Sequence, residues 1–232
     1  GDTLTFINGV WRPNRQIHTA NAEIPLFIET FADGLNMPIH AKIVKFDNPW
    51  NGFRYWMAYT PWSEDKFENP SIAVSNNLLA WETPPGLINP ISDRKPEWNN
   101  FDYYSDTDLI YNPNTQKLEC WYRWCSTNSR VERIHRKTSS DGITWSTEET
   151  LRENTLFVSM VSPSVIFEGG IYRIWVKDSA SSPIKIKYYE SPNGYNWQFK
   201  QDIEGVNDWH FKMERTDIGI EYLGGGTDNL YH

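Results

Sequence analysis

The chain is 232 residues long, carries a net charge of −8, and is 39% hydrophobic and 15% aromatic. That apolar content is enough for a packed core and excludes a disordered chain. An acidic chain whose basic residues are scattered does not suit a phosphate backbone, so no nucleic-acid partner is expected. No apolar stretch is long enough to span a bilayer and none resembles a secretory leader, so membrane insertion is not expected.

Twelve Trp and twelve Tyr give many flat faces with a polar tip, which suit core packing and also sugar stacking. Cys120 and Cys125 lie five apart in one apparent strand, an odd spacing that sends them to opposite faces and makes a bridge between them unfavourable. No Cys/His spacing matches a zinc site.

In chain order, residues 1–37 read as a lead-in. Asn8-Gly9 marks a turn between two short strands, and Ile28–Leu35 reads as a helical turn closed by Gly34. A first repeat spans about 38–90, with strands at Ile39–Phe46, Phe53–Tyr59 and Ser71–Ser75 and a last strand starting at Trp81. A second spans about 101–152, with strands at Ser105–Tyr111, Leu118–Trp124 and Arg133–Thr138. The third, 157–204, is the cleanest copy: two apolar runs joined by Glu168-Gly169-Gly170, a third run, and a turn that delivers Trp197. A fourth, 205–232, starts at Trp209–Met213, turns at Thr216–Gly219 and fades into Gly224-Gly225-Gly226.

One turn recurs at the same place in three repeats: Ser75-Asn76-Asn77-Leu78-Leu79-Ala80-Trp81, Ser140-Asp141-Gly142-Ile143-Thr144-Trp145 and Ser191-Pro192-Asn193-Gly194-Tyr195-Asn196-Trp197. Strands such as Ile171–Val176 lack a clean polar face, as sheets covered on both sides do. Regular four-stranded units with a recurrent turn and tryptophan predict an all-β fold, a β-propeller of antiparallel blades, rather than a sandwich.

Three phrases carry a family resemblance: Trp50-Asn51-Gly52-Phe53-Arg54-Tyr55-Trp56-Met57-Ala58-Tyr59-Thr60-Pro61, Phe67-Glu68-Asn69-Pro70-Ser71-Ile72-Ala73-Val74-Ser75-Asn76, and Ser105-Asp106-Thr107-Asp108-Leu109-Ile110-Tyr111-Asn112-Pro113. In detail they resemble propeller modules of phage and prophage tail proteins of Gram-positive hosts. In general design the repeats resemble five-bladed propeller glycoside hydrolases of the arabinanase and β-xylosidase type. The resemblance implies a five-bladed propeller, here truncated in or after its fourth blade. It also implies a non-enzymatic, receptor-binding tail-fibre module of a virion, acting extracellularly. Its partners would be a host cell-surface glycan such as cell-wall polysaccharide or teichoic acid, and other tail proteins in a homotrimer. The alternatives are a divergent propeller glycoside hydrolase and a protein-binding scaffold.

Propeller glycosidases need carboxyl groups where the innermost strands begin. Aligning the strand starts makes His40, Asp106 and Ser162 equivalent. His40 stands where the first acid belongs, Asp106 matches the second, and Val161 occupies the place of the third, so no catalytic residue is assigned. An axial pocket lined by His40, Asp106, Asp108, Trp209 and His210 remains as a candidate for binding a sugar or polyol. A second candidate is the loop 61–70 with Trp62, Phe67 and Glu68. No cofactor is expected. Calcium on Asp47, Glu64 or Asp65 is the one metal considered, and no EF-hand spacing supports it.

Overall fold

The computed structural model describes residues 2–7, 10–15, 28, 30, 37–62, 68–98, 102–156, 158–206 and 208–225, the first two segments as backbone. Among them there are fifteen strands and no helix, and no helix long and apolar enough to cross a membrane. The chain divides into two compact units, Leu26–Phe157 and a discontinuous one made of Gly1–Pro25 with Val158–His232.

In Leu26–Phe157, β3 (Pro38–Trp50), β4 (Phe53–Pro61) and β5 (Ser71–Ser75) form a three-stranded antiparallel sheet, and β6 (Asp102–Asn112), β7 (Lys117–Ser126), β8 (Val131–Ser139) and β9 (Glu149–Asn154) form a four-stranded meander. The sheets pack face to face. Trp56, Ala58, Ile72 and Val74 of the first meet Tyr104, Leu109, Leu118, Cys120, Tyr122 and Trp124 of the second in one core. Alternation along β7 puts Leu118, Cys120, Tyr122 and Trp124 on that face and leaves Cys125 on the other, and both cysteines are buried and not joined in a disulfide.

The strand expected to begin at Trp81 does not form: among the described residues only an isolated bridge, Val74 to Glu82, extends the first sheet. The following segment holds Pro84, Pro85 and Pro90, which lack the N–H a ladder requires. The edge of β5 is instead covered by a side chain. The Asn89 amide accepts from Ile72 N at 2.9 Å and donates to Ile72 O at 2.9 Å, as a neighbouring strand's backbone would.

In the discontinuous unit, β10 (Val161–Glu168), β11 (Ile171–Asp178), β12 (Lys185–Ser191) and β13 (Gln198–Ile203) form the second four-stranded meander, and β14 (His210–Thr216) pairs with β15 (Gly219–Gly225). The hairpin of β1 (Asp2–Ile7) and β2 (Val10–Arg15), paired up to Ile7 opposite Val10, lies beside β15. The turn at Asn8-Gly9 and most of Ile28–Leu35 lie outside the described residues. Ile166, Trp175, Ile186, Tyr188 and Ile203 pack against Phe211, Met213, Ile220 and Tyr222.

The recurrent turn has one physical design. Ser75, Ser139 and Ser191 each accept from two backbone N–H groups through Oγ. Asn77, Asp141 and Asn193 each accept two more through Oδ1. Leu78, Gly142 and Gly194 take the left-handed conformation, with φ of 67°, 75° and 82°. Gly142 is doubly constrained, because a Cβ there would lie 2.1 Å from the Trp56 ring. Trp81 and Trp145 lock their turns by donating from Nε1 to the carbonyl three residues back.

Candidate functional site

Each inner strand begins with the same irregularity. β3, β6 and β10 are bulged between Ile39 and Lys42, Ser105 and Asp108, and Val161 and Ser164, and within these bulges His40, Asp106 and Ser162 have φ of 56°, 55° and 49°. A non-glycine residue in this region is strained by roughly 1–2 kcal/mol, so the surroundings must hold it there. The three positions aligned from sequence therefore share one backbone geometry. A bulge re-aims a side chain out of the pleat.

In Leu26–Phe157 the bulges deliver a buried ionic network. The His40 side chain is 7% exposed, Glu68 4% and Asp106 1%. The Asp106 backbone N–H donates to His40 Nδ1 at 3.2 Å, which fixes the ring proton on Nε2, 3.4 Å from Asp106 Oδ1. The Thr60 hydroxyl lies 2.7 Å from Nδ1. Thr107 Oγ1 donates to the His40 carbonyl at 3.0 Å, joining the two bulges directly. Glu68 Oε2 is 3.7 Å from His40 Nδ1 and accepts from Ser105 Oγ at 2.6 Å.

Behind Asp106 lies Arg123 of β7. Its Nη1 is 3.4 Å from Asp106 Oδ2, its Nε donates to Glu132 Oε1 at 2.9 Å, and its Nη2 also reaches Glu132. Burial opposes the charge on Arg123, but the surrounding acidic groups, Glu132 and Asp106 among them, outweigh it and hold the guanidinium firmly protonated. The same environment of burial and nearby carboxylates pushes the Cys125 thiol far up, so it is no nucleophile despite its neighbour Arg123.

Chemically, this arrangement sets an imidazole 3.4 and 3.7 Å from two carboxylates, one of which is also paired with a buried arginine. His40, Glu68 and Asp106 are also donor types that bind divalent cations. Here their atoms bond to one another and to Thr60, Ser105 and Arg123.

Of the remaining sequence candidates in this unit, Asp108 is fully buried on β6. Trp62 is 38% exposed at the end of β4, where its N–H donates to Met37 O. Phe67, Glu64 and Asp65 lie outside the described residues. Asp47 is solvated, its carboxylate 94% exposed and 3.5 Å from Lys45. Arg123 and Glu132 escaped sequence reasoning. For Arg123 the available signal was a charge inside the aromatic run Cys120–Cys125, since a charge in such a run is buried and needs a partner; Glu132, in the charge-rich β8, gave no such signal.

In the discontinuous unit, Ser162 Oγ lies 2.8 Å from His210 Nδ1, and Trp209 beside it is exposed. Val161, in the place of the third acid, is buried and pairs with Lys177. Glu168 sits at the far end of β10, half exposed, bridging Arg215 at 3.0 Å and Arg173 at 3.5 Å.

No family model matches the chain. It is 30% identical over 138 residues to an A type blood N-acetyl-α-D-galactosamine deacetylase of Flavonifractor plautii, a stretch that is 57% of this chain and 18% of that protein. Among solved structures it superposes with an N-acetylgalactosamine deacetylase from F. plautii in complex with blood group B trisaccharide: TM-score 0.72, 20% identity, 86% of this chain and 64% of that one. It also superposes with a thermostable family-43 glycoside hydrolase (TM-score 0.55, 13% identity, 78% and 64%). A third is a family-117 glycoside hydrolase of Zobellia galactanivorans (TM-score 0.57, 9% identity, 83% and 64%). The chain spans less than two thirds of each of these proteins.

These likenesses establish the fold: the chain is an all-β propeller protein of the kind seen in glycoside hydrolases, as the general design of its repeats implied. They also correct the functional expectation. None of the proteins named is a phage-tail protein, and all process carbohydrate, which overturns the non-enzymatic tail-fibre reading. The trimer and the tail partners lose their basis with it. The source of the error is that the three phrases belong to the propeller framework, and one fold hosts proteins of different function.

Proposed function

We propose that this chain is part of a carbohydrate-processing hydrolase, and that the bond it cleaves is the N-acetyl amide of an amino sugar in a glycan. The five-bladed count that the resemblance implied, with this chain truncated in or after the fourth blade, belongs to the same proposal. The observation that carries it is the buried His40–Glu68–Asp106 constellation at the bulged strand starts. Amide hydrolysis requires a proton taken from water and a proton given to the departing nitrogen. Glu68 and His40, 3.7 Å apart, are the pair that handles those protons. Asp106 orients the imidazole through Nε2, and Arg123 holds Asp106 from behind. The deacetylase of F. plautii supports the choice of bond. The glycosidase alternative keeps one specific support, Asp106 at the matching strand start, and lacks the two acids that His40 and Val161 replace.

The test is incubation with oligosaccharides ending in N-acetylgalactosamine, with acetate and reducing ends measured in parallel. Acetate release without new reducing ends is expected, lowered by about 10²-fold or more in Glu68→Gln. Reducing ends without acetate would transfer the site to the glycosidase reading. Neither product from the folded protein would sink both.

A further inference from the structure

A singly exposed apolar side chain is ordinary on a protein surface, but a large aromatic held open by dedicated contacts is not. Trp209, at the entry to β14, is such a residue: it is 43% exposed. Its backbone is fixed, with Trp209 N donating to Gly225 O at 3.1 Å and the preceding Asp208 carboxylate accepting from the Tyr222 hydroxyl at 2.6 Å. One ring face is also fixed. Lys177 reaches up from β11, itself only 2% exposed, with Nζ 4.9 Å from the Trp209 ring centroid and donating to Asp208 O at 2.5 Å. The His210 ring stands perpendicular at 6.1 Å, held in turn by Ser162 at 2.8 Å. The indole is therefore immobilised on one side while its area stays open to solvent.

We propose that Trp209 is a stacking platform for a pyranose ring, with Lys177 as the positioning residue beneath it. A flat aromatic face takes an apolar patch on its partner. Among sugars that patch is the C–H face of the pyranose, most continuous in galacto-configured rings, where the axial O4 leaves C3–H, C4–H and C5–H on one side. Pre-organisation lowers the ordering cost of binding, which is the use of a buried lysine that never touches the sugar. The choice of a sugar as occupant rests on the glycan-processing reading above.

The test titrates the intact chain with methyl β-D-galactopyranoside and follows indole N–H resonances, Trp209 being assigned by its loss in Trp209→Phe. The expected result is a saturable shift of the Trp209 indole, saturation transfer to the C3, C4 and C5 protons of the sugar, and roughly tenfold weaker binding in Trp209→Ala. Trp209→Phe, which keeps a flat face, should stay within about threefold of the native affinity, and Lys177→Met should weaken binding several-fold with the Trp209 shift retained. An unmoved Trp209 resonance, or a Trp209→Ala variant that binds the galactoside as the native protein does, overturns the proposal. The two readings fail separately. A protein that stacks the galactoside on Trp209 but releases neither acetate nor reducing ends loses the hydrolase reading alone. An active hydrolase whose Trp209 resonance does not respond to the galactoside loses the platform alone.

Discussion

Arg123 holds two buried carboxylates at once, Asp106 toward the bulge and Glu132 across β8, and both carboxylate side chains are at most 1% exposed. A buried ion pair contributes little net stability, yet removing one partner leaves an uncompensated charge. Arg123→Met should therefore destabilise the protein by about 3–5 kcal/mol, read as a lowered urea midpoint, with part of the loss recovered when Glu132→Gln is added. A variant as stable as the native protein would show that the network is solvated. At this scale the sequence was informative where chemistry is local. The alignment of His40, Asp106 and Ser162 anticipated three residues that share a left-handed bulge. It was silent on Arg123, because register and the pleat, rather than proximity in sequence, bring β7 behind β6.

At the scale of elements, the turns before Trp81 and Trp145 were legible because their hydrogen bonds run between residues two and three apart, from serine and Asx side chains to backbone. The missing fourth strand of the first sheet was not legible. Three prolines argued against it, but what replaces the strand is Asn89, seventeen residues from its partner Ile72. Asn89→Ala leaves the Ile72 N–H and C=O without those partners at a buried edge. It should cost about 1–3 kcal/mol and raise amide exchange at Ile72 well above that of the central strand β4. Unchanged protection at Ile72 would mean that another group covers the edge.

For the whole molecule, acid sensitivity is built into the unit Leu26–Phe157 through His135 and Glu148. Burial, opposed by the nearby Glu148, brings the His135 imidazole down from 6.5 to about 4. The unfolded chain takes up this proton as pH falls through about 6.5, the native state only near 4, so stability is complete above that window and declines through it by on the order of 3 kcal/mol. Burial alone would raise Glu148, but His135 and the hydroxyls of Tyr104 and Tyr122, which donate at 2.6 and 2.9 Å, hold it below the usual range. Its contribution is present above the ordinary glutamate pKa and is lost as pH falls below it, which extends the acid limb. Thermal melts between pH 7 and 4 should fall steeply for the native protein and flatten in His135→Gln. An equal slope in both would count against His135 as the source.

What the sequence determined by itself is what short-range physics writes into it. The aromatic-rich apolar runs, the Ser-and-Asx turns and their period set an all-β chain of antiparallel meanders, because turn and strand chemistry act over a few residues. What only the tertiary structure decided is the working chemistry. His40, Glu68, Asp106 and Arg123 are spread over more than eighty residues, and burial together turns solvated side chains into one coupled network.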